Sequence, residues 1–176
     1  MTWSIRSAGP KDASLLSLVG SATFLETFAS VHTGDEILAH CGNEHSAAYY
    51  ARLLNMDCDC WILETARTKT PVGYAVLTSP ELPGQAEGDL ELKRIYVLSR
   101  FHGTGAGAEL LRRAVARAHG RGAARLLLSV YSENGRAIAF YEKKGFEKIG
   151  DHRFFVGDTG YLDFVFALPL GGEQDG

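Results

Sequence analysis

The sequence predicts a single-domain fold of the mixed α/β class, a mixed sheet with helices on both faces. Three observations carry this expectation. The elements read from periodicity run β α α β β β α β α β β, without the strict alternation of a doubly wound domain. The 176 residues suit one ordinary domain with no evident internal repeat or linker. Apolar residues make up 45% and charged residues 22%, a globular make-up able to bury a core without disulfides or metals.

The elements follow in order. "WSIRSA" (3–8) alternates as a first strand. Pro10 and Asp12 start a helix whose apolar residues Leu15, Leu18, Val19 and Ala22 recur at helical spacing, and it continues through "TFLETF". A second helical region runs from about Asp35 to Leu54, with a break expected near Gly42. "CDCWILET" and "PVGYAVLTS" read as a hairpin across the polar "ARTKT". "PELPGQAEG" (80–88) is a loop, and "DLELKRIYVL" (89–98) is a strong strand. Then come a glycine-rich turn, a helix over about 105–119 and the near-continuous apolar strand "ARLLLSVY". "NGRAIAFYEKKG" opens on an asparagine suited to N-capping and closes on a glycine suited to C-capping. "FEKIGDHRFFV" and "YLDFVFAL" complete a domain over 1–168, and 169–176 is expected to be a frayed tail.

Several classes of function are disfavoured. A formal charge of −3 argues against nucleic acid, which is met by a basic face. No apolar run reaches the roughly 18–20 residues of a membrane span, and the N-terminus lacks signal architecture, so a cytoplasmic location is expected. Cys41, Cys58 and Cys60 form no disulfide framework and point to a reducing compartment; the last two read as small buried hydrophobes on one strand face. No cluster has metal-ligand spacing, so no metal is expected.

In "DLELKRIYV" the apolar parity slips at Lys93–Arg94, from Leu90 and Leu92 to Ile95 and Val97. One extra residue would restore it, as a β-bulge does, and would open the sheet just before the turn. The turn itself, "SRFHGTGAG", places Gly103, Gly105 and Gly107 ahead of a helix, the arrangement of an anion site. Glycine there permits close approach and unusual dihedrals, and Arg100 can bring a full charge. A Walker A loop would need Gly-Lys-Ser/Thr, which "GAGAEL" lacks. A dinucleotide fingerprint is formally matched by Gly103, Gly105 and Ala108, but the next strand offers no acid for a ribose.

Arg100-Phe-His-Gly103-Thr-Gly105, followed by Asn134 and by Phe140, Tyr141, Gly145 and Phe146, resembles the GNAT superfamily of N-acetyltransferases over roughly 89–150. The resemblance implies a mixed, mostly antiparallel sheet of six to seven strands. It implies acetyl-CoA as cosubstrate, with pyrophosphate on Arg100, Gly103, Thr104, Gly105, Ala106, Gly107 and Ala108. Pantetheine would pair with Ile95, Tyr96 and Val97, and Asn134 would also serve the cofactor. Tyr141 is implied as the proton donor to the departing thiolate. Glu91 is the candidate base, with a solvated strand carboxylate, or a salt-bridge partner for Lys93 or Arg94, as the plainer readings. His32, His40 and His45 are alternatives, each individually expected at the surface.

The resemblance implies a small amine or a peptide as the acceptor. "TFLETF", "IYVL" and "SAAYYARLL" look similar to bacterial spermidine/spermine N-acetyltransferases, and Glu26, Asp35, Glu36, Glu44, Glu87 and Asp89 could form an acidic mouth for a polycation or be ordinary solvated charges. Rival readings are a protein N-terminus, an amino-acid-like metabolite, a non-catalytic acyl-CoA-binding regulatory module, or, more remotely, a dinucleotide-dependent oxidoreductase. A homodimer is left open.

Overall fold

The computed structural model describes residues 2–171. In chain order the elements are β1 (Trp3–Ser7), α1 (Ala13–Phe28), α2 (Gly34–Glu44), α3 (Ala47–Leu54), β2 (Asp59–Thr65), β3 (Pro71–Thr78), β4 (Leu90–Val97), α4 (Ala106–Gly120), β5 (Arg125–Tyr131), α5 (Gly135–Lys143), β6 (Glu147–Val156) and β7 (Thr159–Pro169). One seven-stranded sheet has the order β1-β2-β3-β4-β5-β7-β6. β4 pairs with β5 in parallel, while β7 is antiparallel to both β5 and β6, and β1 to β2. The expected mixed α/β class and mostly antiparallel sheet are therefore what the chain forms. Its residues group into two compact units. The first joins the chain up to Val76 with Arg94–Arg113, and the second joins Leu77–Lys93 with the chain from Ala114 onward.

In the first unit, Leu16 and Val19 of α1 meet Tyr50 and Leu53 of α3 over Cys60, Ile62, Tyr74 and Val76 of β2 and β3. The buried stripe of α1 is Leu16, Val19, Gly20, Thr23 and Phe24, and Leu18 is 60% exposed. The buried face differs from the expected one because two of its members, Gly20 and Thr23, carry no apolar signal in the sequence. Thr23 can be buried because its hydroxyl donates to Val19 O at 2.7 Å. Gly20 is there for space: a Cβ would lie 2.5 Å from His45 Nδ1 and 2.6 Å from Tyr50 Oη.

The second helical region is two helices, and it breaks at His45–Ser46 instead of near Gly42, which lies inside α2. Capping explains the boundary. Ser46 Oγ accepts from Tyr49 N at 3.0 Å, and Thr33 and Glu36 form a reciprocal capping box at the start of α2.

In the second unit β5 and β7 pair from Arg125↔Pro169 to Tyr131↔Asp163, and β6 follows β7 with an irregularity between Lys148 and Gly150. Leu82, Leu127, Val165 and Ala167 form a core cluster on one sheet face. Of the expected tail, Pro169 ends β7 and Leu170 N donates to Ala124 O at 2.9 Å. Residues 172–176 lie outside the described residues.

Candidate active site

The glycine turn belongs to the first unit. β4 leads into a 3-10 turn at Ser99–Phe101, anchored by buried Phe101 and by Glu26. The Glu26 carboxylate accepts from Ser99 N at 2.8 Å and Ser99 Oγ at 2.7 Å. Gly103 and Gly105 have φ of 75° and 85°, the left-handed region that strains any residue with a Cβ. A Cβ at either would meet nothing within 4 Å, so dihedral strain rather than crowding demands glycine there. Residues 102–105 are exposed. Thr104 Oγ1 donates to Phe101 O at 2.7 Å, and His102 Nε2 lies 2.7 Å from Val97 O. Helical bonding begins with Glu109 N to Gly105 O at 3.0 Å, so the amides of Ala106, Gly107 and Ala108 have no acceptor within their own helix. Arg100 is exposed. These features make a ready anion cradle.

Just before the turn, β4 sends Arg94 and Tyr96 into a buried aromatic cluster. Arg94 Nη1 donates to Tyr50 Oη and to Glu44 O, each at 2.9 Å, and its guanidinium lies 4.8 Å from the Tyr49 ring centroid. Tyr50 Oη donates to Tyr74 Oη at 3.2 Å and faces His45 Nδ1 at 3.0 Å, and Tyr96 stacks on Tyr74. The histidines correct the expectation of surface positions: His32 and His45 are buried, and both stand with His40 around the Phe24 ring. Burial, helped by the Arg94 charge, pushes His40 down to about 4 and His45 to about 2. Both are neutral at pH 7.

Glu91, Asn134 and Tyr141 belong to the second unit. Glu91 is 6% exposed and is not an ordinary solvated strand carboxylate. Its Oε2 accepts from Glu81 N at 2.8 Å. Lys93 pairs with Glu81 at 2.7 Å, and Arg94 with Glu44 at 3.6 Å. Burial holds the Glu91 carboxyl above the ordinary 4.5, against the pull of the Glu81 amide and the Lys93 charge. Asn134 caps α5, its Oδ1 accepting from Ala137 N at 3.2 Å. Tyr141 is buried, its ring edge-on to Phe140 and Phe146. The backbone pairs of β4 with β5 fall at Leu90↔Leu126 and Glu91↔Leu127, at the start of both strands.

Four of the six acids of the expected acidic mouth are engaged elsewhere. Glu26 holds Ser99, Glu36 caps Thr33, Glu44 pairs with Arg94, and Asp89 takes a two-pronged bond from Arg125 at 2.6 and 3.0 Å. The sequence reading also overlooked Asp163. It is a 7% exposed carboxyl that accepts from Ser129 Oγ at 3.2 Å. Burial pushes it up to about 6 against Ser129 and His152. Its signal was in plain view, a lone acid inside the apolar run "YLDFVFAL".

Among the described residues no helix is long and apolar enough to cross a membrane, and no cluster of His, Cys, Asp or Glu suits a metal. Residues 25–146 match the Acetyltransferase (GNAT) family. The chain is 33% identical over 159 residues to an uncharacterized N-acetyltransferase of Mycobacterium tuberculosis, covering 90% of this chain and 98% of that one. Its fold is similar to PaiA N-acetyltransferase from Thermoplasma acidophilum in complex with coenzyme A (TM-score 0.77, 21% identity, 96% and 99% of the two chains). It is also similar to YncA, a putative acetyltransferase from Salmonella typhimurium with its cofactor acetyl-CoA (TM-score 0.71, 20% identity, 100% and 98%).

Proposed function

The chain belongs to the acetyltransferase (GNAT) family, and on that premise we propose that it moves the acetyl group of acetyl-CoA to a primary amine by direct attack. The observation that carries the proposal is the turn after β4. Two glycines in the left-handed region, on an exposed turn, lead into the first-turn amides of α4, which have no acceptor within their helix and suit an anion. In this reading the amides of Gly103 to Ala108 and the Arg100 guanidinium hold the pyrophosphate of CoA. The backbone of Ile95, Tyr96 and Val97 pairs with pantetheine, which the bulge expected at Lys93–Arg94 would expose, and Asn134 serves the cofactor while capping α5.

Each of the chain's own groups has one task in the reaction. Acetyl-CoA supplies a thioester; its carbonyl carbon gains a bond to nitrogen and loses the bond to sulfur. Glu91 takes the proton released by the attacking amine, and burial moves its pKa upward, the direction that makes a carboxylate a better base. Tyr141 donates its hydroxyl proton to the departing thiolate. The finer proposal, a polyamine acceptor, is not supported by the engaged acids Glu26, Glu36, Glu44 and Asp89. It rests on Asp163 and Glu133 of the second unit. For a polycation, kcat/KM falls steeply with ionic strength, whereas a peptide N-terminus or amino-acid-like acceptor shows weak salt dependence.

Gly105→Val tests the cofactor assignment. At φ 85° valine costs about 1–2 kcal/mol, so it displaces the turn. Titration calorimetry should show micromolar acetyl-CoA binding by the native chain and at least a tenfold loss in the variant. Unchanged affinity would overturn the assignment.

A further inference from the structure

We propose that the sheet face around Asp163 is an ammonium-binding subsite, which holds a protonated alkyl amine by one buried carboxylate and the rings of Tyr131 and Tyr161. The inference rests on the amine-acetylation reading only in taking that amine to belong to the acceptor.

Strand register builds the face. Residues paired directly across antiparallel strands point to the same side, so His152 of β6, Asp163 of β7 and Tyr131 of β5 lie in one row. Ser129 and Tyr161, two residues along their strands from Tyr131 and Asp163, share that side. So does Phe154, in register with Tyr161. The Tyr131 and Tyr161 rings meet edge-on with centroids 6.2 Å apart. Tyr131 Oη donates to Glu133 at 3.0 Å, which brings a second carboxylate to the rim.

Asp163 is the anomaly that needs a ligand. A carboxylate this deeply buried is ordinarily matched by a cation or by several donors. Here, among the described residues, one hydroxyl, Ser129 Oγ, donates to its Oδ2 at 3.2 Å. No lysine or arginine among the described residues forms an ion pair with it. His152 lies in register beside it. A buried carboxylate held by one hydroxyl, flanked by two tyrosine rings and rimmed by Glu133, complements an alkylammonium group. The charge meets the carboxylates, and the methylenes and the cation lie against the rings. An anion is repelled. A neutral alcohol gains nothing from the charges.

The test is an amide NMR titration of the full chain with 1,4-diaminobutane and, separately, its neutral counterpart 1,4-butanediol. The diamine should give saturable shifts centred on Ser129, Tyr131, Tyr161 and Asp163, and the diol none. Asp163→Asn, which keeps the shape and removes the charge, should weaken diamine binding about tenfold or more. Tyr161→Leu, at a half-buried position, should weaken it severalfold. In turnover, Asp163→Asn should raise the KM for the diamine far more than it lowers kcat. Equal shifts from the diol, no shifts from the diamine, or unchanged diamine affinity in both variants would overturn the subsite. Diamine-dependent turnover with a KM unmoved by Asp163→Asn would overturn it while leaving amine acetylation standing. Saturable diamine binding without any amine turnover would do the reverse.

Discussion

Replacing Asp163 by asparagine should make the protein more stable at neutral pH, an unusual direction for a change at a buried polar residue. The unfolded chain holds this carboxyl at its ordinary 3.8, and burial in the folded chain moves it to about 6. At 1.36 kcal/mol per pH unit, that gap amounts to about 3 kcal/mol of folding free energy lost once the carboxyl ionises. The sign follows from the raised value. The contribution of protonated Asp163 to stability is fully present below 3.8 and is lost as pH rises through about 6. Asparagine carries no charge at any pH and copies the protonated form, though its amide fits the Ser129 hydroxyl less well. A gain of about 1–3 kcal/mol at pH 7.5 is therefore expected, shrinking toward zero near pH 4. Urea unfolding of both proteins across this range measures the difference directly, since the other titrating groups cancel between them. An Asp163→Asn protein less stable than the native chain at pH 7.5, or a difference that does not change with pH, would refute the reasoning. Such a latent gain is what a functional carboxylate leaves behind, because the native chain gives up stability to keep the charge in place.

Further outcomes follow from the same geometry. Tyr141→Phe keeps the ring against Phe140 and Phe146, so acetyl-CoA affinity should hold while kcat drops about 10²–10⁴-fold; native turnover would remove Tyr141 from the role of proton donor. Glu91→Gln should abolish the acidic limb of the kcat/KM profile, which in the native chain rises through an ionisation above 4.5; a persisting limb would point to another base. Gly20→Ala drives a Cβ into His45 and Tyr50 at about 2.5 Å and should cost about 1–3 kcal/mol in urea unfolding, and a neutral change would mean that the Arg94–Tyr50–His45 cluster yields easily.

What could be read from sequence follows a physical line. The stretch from β4 through α5 was legible because its signals are local. A glycine that must take positive φ, an asparagine that caps and a glycine that ends a helix announce themselves within a few residues. The α1 face was misplaced because Gly20 and Thr23 are buried for reasons that lie elsewhere, the rings of His45 and Tyr50 and a carbonyl one turn back. The boundary at Ser46 was mistaken for Gly42 because a helix tolerates glycine, while a serine cap actively ends one helix and begins the next. The acids posed the hardest problem. Glu26, Glu36, Glu44 and Asp89 look free in the chain, and only tertiary structure shows which donor each one holds. The raised pKa values of Glu91 and Asp163 come from burial, which sequence shows only as an acid out of place in an apolar strand.

Amine-dependent release of CoA from acetyl-CoA, followed by thiol detection with mass spectrometry of the amine, tests the central claim most directly. A panel of 1,4-diaminobutane, spermidine, free amino acids and short peptides with free N-termini covers the acceptor classes. The account predicts stoichiometric CoA release and a singly acetylated amine for at least one member, both abolished by Gly105→Val. Tight acetyl-CoA binding with no amine-dependent release from any member, or release that persists undiminished in Gly105→Val, would contradict it.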